Sequence, residues 1–362
     1  MRVGIIGGGV VGRATARAFI EHVNEVRVYD VVKERRTHDL WQIVGSDACD
    51  LVFLCLPTPQ KPGEMACDTS IIEGFFNEMS ERYTSLKGVN FVLRSTVPIG
   101  TTRKLCEKYH LPNLVHSPEF LTARCAIQDA QMPARNIVGI PRSPSGIKKE
   151  KQTCTGELIQ LYSKRFPGVP VHVLTSDESE AVKLFQNSFF AVKVAFWNEC
   201  RALSDKLGMD WERVLEAVLA DGRIGHSHTK VPGPDGKRGF GGTCLPKDLA
   251  NLIQCMKDAG SLTFSHDVAG MVGFGTVDGV CQAAYDRNLL DRPEHSLEML
   301  MAIRAGEHIE RQILGTPLSD AETWERLNVD RLQLDKGLSI GEAMPDSEMM
   351  REAMREPFGN HS

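Results

Sequence analysis

One segment of the chain combines a cysteine with residue types that suit covalent catalysis, GFGGTCLPKD at 239–248. Pro246 suits the first turn of a helix, so Cys244 is predicted to lie just before a helix N-terminus. The helix dipole and the nearby Lys247 would favour the thiolate there. Asp248, one helical turn further on, can reach back toward the same region. A thiolate beside an oxyanion-stabilising site is the arrangement needed for covalent catalysis on a carbonyl.

Such a site needs groups that stabilise negative charge on oxygen, and Lys183 and Asn187 are candidates. They are four residues apart in a helical segment and therefore share one face. An ammonium and an amide donor side by side can stabilise a developing oxyanion. Taken alone, the simpler interpretation is a solvated lysine and a polar asparagine on an amphipathic helix.

Two further segments place polar residues after predicted strands. In LRSTVPIGTT at 93–102, the hydroxyls of Ser95 and Thr96 follow an apolar run, and in HSPEFLTARCA at 116–126, Glu119 follows another. Because ligands bind outside the carboxyl ends of the strands in open α/β sheets, these side chains are expected to face a ligand crevice.

A G-x-G-x-x-G pattern, Gly7, Gly9 and Gly12, lies directly after the first predicted strand. Its glycines suit a tight turn, a close approach to a pyrophosphate and close helix packing, and the phosphates would meet the helix N-terminus. Asp30 ends the second strand, where a carboxylate accepts hydrogen bonds from a ribose and repels a 2′-phosphate, so NAD is favoured over NADP. The simpler alternatives are a strand-capping aspartate and, for Arg35, a solvated surface arginine. The predicted cofactor residues here are Gly7, Gly9, Val10, Val11, Gly12, Asp30 and Arg35.

The elements that must position these residues follow two patterns. Up to residue 176 apolar runs alternate with helical segments, which predicts an α/β domain with a parallel, doubly wound, Rossmann-like sheet. The segment 178–208 then repeats apolar residues at helical spacing with no Pro or Gly before its last residue, which predicts one long helix of an all-α domain. The predicted strands are 2–6, 25–30, 50–57 and 89–96, with further apolar runs at 113–117, 136–140 and 170–174. The predicted helices are 14–22, 69–84, 178–208, 211–220 and one from about 247.

These patterns predict three parts: a cofactor domain at 1–176, a helical central and dimerisation domain at 177–285, and a short helical tail of unknown role at 286–362. The long helix carries aromatic residues around more than one face, so we expect one face to meet a second copy of the chain. In the tail, the basic residues that could meet a diphosphate are Arg287, Arg292, Arg304 and Arg311, with solvated surface charges as the alternative.

Composition narrows the class of protein. The 362 residues carry a net charge of −5, which gives no electrostatic reason to expect a nucleic-acid partner. The ten cysteines show neither CxxC nor zinc spacing, so free thiols and no metal site are expected. The sequence contains no run of 18 apolar residues, so no membrane span is expected. Together with the expected free thiols, this predicts a cytoplasmic protein.

Taken together, these segments resemble the UDP-glucose/GDP-mannose dehydrogenase family. The resemblance spans residues 1 to about 260, in the family's order. It implies a four-electron oxidation of a primary alcohol of a sugar nucleotide to the carboxylate with two NAD, with UDP-glucose as the default substrate. The matching stretches are GIIGGGVVG, LPTP at 56–59, STVPIGTT, SPEFL, the K-x-x-x-N and WNE of the long helix, DGRIG at 221–225, and GFGGTCLPKD.

The resemblance also implies residue roles. Cys244 would be the nucleophile that forms a thiohemiacetal and then a thioester, and Lys183 and Asn187 would hold the oxyanion. Protons and the hydrolytic water would be managed by Glu119, Thr96 and Asp248. Residues lining the NAD site would include Thr58, Thr96 and Lys247. The substrate would be contacted by Glu119, Phe120, Leu121, Lys183, Asn187 and Gly241.

The chain departs from the family in three places. The stretch between Asp30 and Asp50 is shorter than usual, and Ala123 stands where the family usually has a second glutamate after Glu119. The family's third domain, which grips the nucleotide, has no counterpart after residue 285. Two other interpretations therefore stay open: a two-electron dehydrogenase of the hydroxyacid type, against which the Cys244 loop argues, and a non-catalytic nucleotide-binding module, which the missing domain favours.

Overall fold

The computed structural model describes residues 1–45, 48–62, 64–83, 86–142, 153–259 and 288. The predicted tail from 286, apart from Asn288, lies outside the described residues, and so do its candidates Arg287, Arg292, Arg304 and Arg311. The strands are β1 (Arg2–Ile6), β2 (Glu25–Tyr29), β3 (Leu51–Leu54), β4 (Phe91–Leu93), β5 (Leu114–His116), β6 (Asn136–Ile140) and β7 (Val171–Thr175). The helices are α1 (Val10–Phe19), α2 (Leu40–Val44), α3 (Ser70–Arg82), α4 (Thr101–Tyr109), α5 (Ala126–Gln131), α6 (Thr153–Arg165), α7 (Ser176–Lys206), α8 (Trp211–Leu219) and α9 (Cys244–Asp258).

The seven strands form one sheet in the order β2-β1-β3-β4-β5-β6-β7. The first five are parallel, and the strand order reverses between β1 and β3, which confirms the predicted α/β doubly wound class. The expectation of a fully parallel sheet was wrong at one place, because β6 pairs antiparallel with β5 and β7 then follows β6. The short α5 packs beside α1, and the chain re-enters the sheet from the edge at which β5 ends.

Successive side chains of the central strands point to opposite faces of the sheet and contribute to two apolar cores, one on each face. In β3, Val52 and Leu54 pack toward α2, α3 and α4, whereas Leu51 and Phe53 pack toward α1, α5 and α6. All four side chains are fully buried. Strands buried on both faces form near-continuous apolar runs, which explains why these segments could be recognised in the sequence.

Helix α7 is a 31-residue helix that begins two residues before its predicted start. Its first turn is fixed by a capping box: the Thr175 side chain accepts from the Glu178 amide, and the Glu178 side chain accepts from the Thr175 amide. The first half of α7 lies against β6, and α9 packs along α7 through Ala191, Leu249 and Ile253. This packing places the first turn of α9 near the carboxyl ends of the parallel strands.

No helix among the described residues is long and apolar enough to cross a lipid bilayer.

Candidate functional site

A cavity of about 480 Å³ lies at the carboxyl ends of the parallel strands. One end is formed by the glycine-rich turn after β1 and by the end of β2, and the other by the loop after β4 and the first turn of α9. Ligands of open α/β sheets bind at such a position, outside a point where the strand order reverses. Its lining includes the predicted residues Gly7, Gly9, Val10, Val11, Asp30, Arg35, Thr58, Thr96, Glu119, Cys244, Lys247 and Asp248.

The glycine-rich turn leaves room for a dinucleotide. Gly7 has φ +98°, and a Cβ there would meet the Cys55 carbonyl oxygen at 2.3 Å. A Cβ on Gly12, which is buried away from the cavity, would lie 1.8 Å from the Gly7 oxygen, so α1 could not pack as closely. A Cβ on Gly9 would meet no atom within 4 Å, so the backbone beside it is open to the cavity. These observations fit a pyrophosphate held at the N-terminus of α1.

The Asp30 side chain is held in place by the backbone around it. Its two carboxylate oxygens accept from the amide of Gly8 at 2.6 Å and from the amide of Val32 at 2.8 Å. The side chain is largely buried, yet it still lines the cavity, with Arg35 beside it. The result is a fixed negative charge at the end of β2, where a ribose of the cofactor would lie.

At the other end of the cavity, Lys183 and Glu119 form a buried ion pair. Lys183 Nζ donates to Glu119 Oε1 at 2.9 Å, and both side chains are at most one-tenth exposed. The second carboxylate oxygen of Glu119 accepts from the amide of Leu121 at 2.6 Å, which fixes the loop after β5. Lys183 is thus neither solvated nor on an exposed face, and the simpler interpretation of this residue was wrong.

A second polar cluster links α7 to the first turn of α9. Asn187 Nδ2 donates to Asp248 Oδ2 at 2.6 Å, and Lys247 Nζ donates to Asp248 Oδ1 at 2.5 Å. Asp248 is almost fully buried. Burial lowers the pKa of Lys247, but the Asp248 carboxylate outweighs this effect and raises the pKa overall. Lys247 therefore keeps its charge inside the cavity.

Cys244 is the first residue of α9, is exposed to solvent and lines the cavity. The pKa of its thiol is raised, mainly by partial burial of the sulfur and then by the Asp248 carboxylate, with Lys247 opposing. Lys247 favours the thiolate, as expected, but burial and the Asp248 carboxylate outweigh its effect on the pKa. Asp248 is paired with Lys247, so Lys247 offsets only part of the penalty that burial places on the thiolate.

The remaining predicted residues occupy the surroundings of the cavity. Thr58 Oγ1 donates to the carbonyl of Thr96 at 2.7 Å, which joins the loops that follow β3 and β4. The centroid of the Phe120 ring lies 4.2 Å from the guanidinium of Arg135 and 5.5 Å from the ammonium of Lys183. Lys183, Asn187, Phe120, Leu121 and Gly241 do not themselves line the cavity. Lys183 and Asn187 reach it through their partners Glu119 and Asp248.

Several residues of this region were not predicted from the sequence. Arg94 lines the cavity and donates to Thr15 and to the carbonyl of Ser117. Asn288, beyond the predicted end of the central domain, accepts from the amide of Phe240 at 2.8 Å and so holds the loop before Cys244. Glu180 is buried one turn before Lys183, and only the E-x-x-K spacing on one helix face could have indicated it.

Two family models match the chain and together cover more than half of it. The model of the NAD-binding domain of the UDP-glucose/GDP-mannose dehydrogenase family matches residues 37–152, and that of the central domain of the same family matches residues 177–268. The chain belongs to this family. Its N-terminal part is accordingly an NAD-binding domain, and the cavity described above is where that domain's residues converge.

Relatives of the family agree with this assignment. The chain is 27% identical over 237 residues to a UDP-glucose 6-dehydrogenase of Campylobacter jejuni, covering 65% of this chain and 53% of that protein. It thus spans about half the length of that curated relative. The fold is shared with a UDP-glucose dehydrogenase of Pyrobaculum islandicum, at a TM-score of 0.56 and 24% identity over 79% of this chain and 68% of that one.

A third likeness is to a different class of dehydrogenase. The 3-hydroxyisobutyrate dehydrogenase of Mycobacterium tuberculosis matches with a TM-score of 0.52 and 16% identity, over 82% of this chain and 94% of that one. Because this fold accommodates both classes, the fold does not distinguish them, and the residues of the site must.

Proposed function

We propose that the chain catalyses the NAD-dependent oxidation of a nucleotide sugar, converting a primary alcohol to a carboxylate, with UDP-glucose to UDP-glucuronate as the default reaction. The observation that carries the proposal is a single cavity with a dinucleotide turn at one end and Cys244, Lys247 and Asp248 at the other. The domain boundaries that go with it are 1–176 for the cofactor, 177–285 for the central domain and 286–362 for the tail.

The cofactor would be held by the turn at Gly7–Gly12, by Asp30 and Arg35, and by Thr58, Thr96 and Lys247. Bound NAD supplies a hydride acceptor for each of the two oxidation stages. The net reaction consumes one alcohol, two NAD⁺ and one water, and yields one carboxylate, two NADH and three protons.

In the second oxidation stage, from aldehyde to carboxylate, one residue would act as the nucleophile and others would stabilise the charge that develops. The Cys244 sulfur bonds to the aldehyde carbon and forms a thiohemiacetal, whose oxidation gives a thioester. Lys183 and Asn187 stabilise the oxygen as it becomes negative. Water then attacks the thioester carbon, the carbon–sulfur bond breaks, and the thiolate leaves. Glu119, Thr96 and Asp248 would take and return the protons.

The substrate contacts proposed are Glu119, Phe120, Leu121, Lys183, Asn187 and Gly241. The loop from Glu119 to Leu121 is suited to this role, because the carboxylate of Glu119 fixes both Lys183 and the Leu121 amide. The buried polar pairs argue against a non-catalytic module, since a cavity that only bound a nucleotide would gain little from two buried ion pairs. The presence of Cys244 in the cavity argues against a hydroxyacid-type dehydrogenase, because the chemistry of that class needs no cysteine.

The first experiment is an activity screen. The purified chain is incubated with NAD and a panel of nucleotide sugars, NADH absorbance is followed, and the product is identified by mass spectrometry. We expect NADH and UDP-glucuronate from UDP-glucose. Absence of NADH with every nucleotide sugar would leave the nucleotide-binding module as the better account.

We expect a strong preference for NAD over NADP, set by Asp30. A 2′-phosphate beside this buried carboxylate brings two negative charges together, which costs several kcal/mol and corresponds to about a hundredfold or more in kcat/KM. Steady-state kinetics with both cofactors measures the ratio, and Asp30→Ala should reduce it. Glu34→Ala is the matched control, because this exposed carboxylate lies four residues further on and outside the cavity. Equal kcat/KM values in the wild type would refute the role of Asp30.

We also propose a homodimer that forms through α7. Phe185, Phe189 and Phe196 are each more than half exposed along the helix, which is unfavourable in water. Trp197, by contrast, is buried against Trp211, so one predicted face is already covered within the chain. Light scattering at micromolar concentration should give twice the monomer mass, and Phe189→Lys should shift it toward the monomer. A monomeric wild type would exclude this pairing.

A further inference from the structure

A stripe of polar side chains is buried along the first half of α7. Glu180, Lys183 and Asn187 are spaced three and four residues apart and therefore share one face, and all are less than one-tenth exposed. Lys183 and Asn187 contact the proposed catalytic carboxylates. Glu180 contacts neither of those carboxylates in the structure, and the proposed chemistry gives it no task.

The carboxylate of Glu180 accepts three hydrogen bonds from the start of α4. Its Oε2 accepts from the amide of Gly100 at 2.5 Å, and its Oε1 accepts from the amide and the hydroxyl of Thr102 at 2.8 and 2.5 Å. α4 has no capping side chain of its own, because its N-cap residue is Gly100, in the left-handed region. Glu180 thus supplies from another helix the acceptor that an N-cap residue normally provides.

This contact fixes the loop that carries Thr96. The loop runs from the end of β4 to Gly100, and at its other end Ser95 Oγ donates to the Leu56 carbonyl at 2.7 Å. The neighbouring residue of α7 performs a parallel task at the next strand, because Ser179 Oγ lies 2.8 Å from His116 Nδ1 at the end of β5. Two consecutive residues of α7 therefore set the helix in register with the loops that bear Thr96 and Glu119.

Burial disfavours the charged form of a carboxylate, and this effect is visible in the pKa of Glu180. Desolvation raises the pKa of Glu180 to about 7, although its hydrogen bonds to Thr102 and Gly100 lower it. A capping group at the surface would avoid that penalty. The buried position is the one that joins α4 to the helix segment carrying Lys183.

From this geometry we infer that Glu180 is a positioning residue, which holds the Thr96 loop at a fixed distance from Lys183 and Asn187. The inference rests on the proposed function, since it concerns how the proposed catalytic groups are aligned. It makes a prediction that a purely structural cap does not: loosening this contact should slow turnover more than it weakens binding of either ligand.

The test compares Glu180→Gln with Glu178→Gln. The amide of glutamine replaces one acceptor oxygen by a donor, which then faces a backbone amide or the Thr102 hydroxyl, so at least one hydrogen bond is lost. Misplacement by a fraction of an ångström to one ångström should lower kcat about tenfold to a hundredfold. KM for NAD and for UDP-glucose should change less than about threefold, as expected when only transition-state alignment is lost.

Glu178→Gln is the matched control, because Glu178 lies on the same helix and caps α7 itself but touches no loop of the site. It should leave kcat unchanged and lower the melting temperature only slightly, because glutamine can still accept from the Thr175 amide at this capping-box position. Thr102→Val removes only the hydroxyl hydrogen bond and keeps the side-chain volume, so it gives a milder variant that remains folded. Its kcat should fall between those of the wild type and Glu180→Gln.

The outcomes separate the inference from the function on which it rests. An unchanged kcat in Glu180→Gln, with an active wild type, overturns the positioning role and leaves the proposed function standing. If the wild type itself turns over no nucleotide sugar, the proposed function fails, and hydrogen exchange then decides the inference. Faster exchange of the amides at 96–102 in Glu180→Gln than in Glu178→Gln supports it, and equal exchange overturns it.

Discussion

Replacing Cys244 with serine is expected to abolish formation of the carboxylate while leaving NAD binding intact. A serine hydroxyl is a far weaker nucleophile than a thiolate unless a base activates it. Burial and the Asp248 carboxylate raise the pKa even of the Cys244 thiol at this position. The Gly-rich turn and Asp30 at the other end of the cavity would be unchanged. Product analysis by mass spectrometry and NAD titration by calorimetry measure the two effects separately.

Cys255→Ser is the matched control for this experiment. Cys255 lies on the same helix α9, is partly buried and does not line the cavity. The same thiol-to-hydroxyl change at Cys255 should leave carboxylate formation and NAD binding at wild-type levels. A Cys244→Ser variant that still produced the acid at the wild-type rate would rule out covalent catalysis through this residue.

Replacing Lys183 with methionine is expected to lower both activity and stability. Loss of one oxyanion donor lowers kcat by about a hundredfold to a thousandfold. Removal of the ammonium also leaves the Glu119 carboxylate buried and unpaired, which costs about 3–5 kcal/mol of unfolding free energy. Steady-state kinetics and urea denaturation give the two quantities.

The double variant Lys183→Met/Glu119→Gln separates the two effects. Neutralising Glu119 removes the unpaired charge, so most of the lost stability should return. The activity should stay low, because the oxyanion donor and the proposed proton-transfer carboxylate of Glu119 are both missing. Recovery of activity together with stability would mean that Lys183 supports the fold and takes no part in the chemistry.

The sheet and the long helices could be predicted because their signals are local. Strands buried on both faces appear as apolar runs, and 178–208 repeats apolar residues at helical spacing, so β1 and α7 were located to within two residues. The reversed direction of β6 could not be predicted from its own residues. It depends on where α5 packs, beside α1, and that contact joins segments more than a hundred residues apart.

The candidate site also contains some features that local sequence signals could predict and others that they could not. Cys244, Lys183 and Asn187 could be proposed from residue type and spacing, because the motifs that carry them are contiguous. The ion pairs that set their charges could not, since Glu119 lies 64 residues from Lys183 and Asp248 lies 61 from Asn187. The raised pKa of Cys244 is another property that needs the folded chain: burial of the thiol is its largest cause, and the Asp248 carboxylate, which is paired with Lys247, is the next.

The most direct test of the central claim is the number of NAD molecules reduced per molecule of nucleotide sugar consumed. The limiting substrate, UDP-glucose, is incubated with excess NAD and the purified chain until absorbance at the NADH band is constant. A four-electron oxidation through a Cys244 thioester predicts two equivalents of NADH, with the acid as product. One equivalent, with the aldehyde or a ketone as product, would contradict the account and favour a two-electron dehydrogenase.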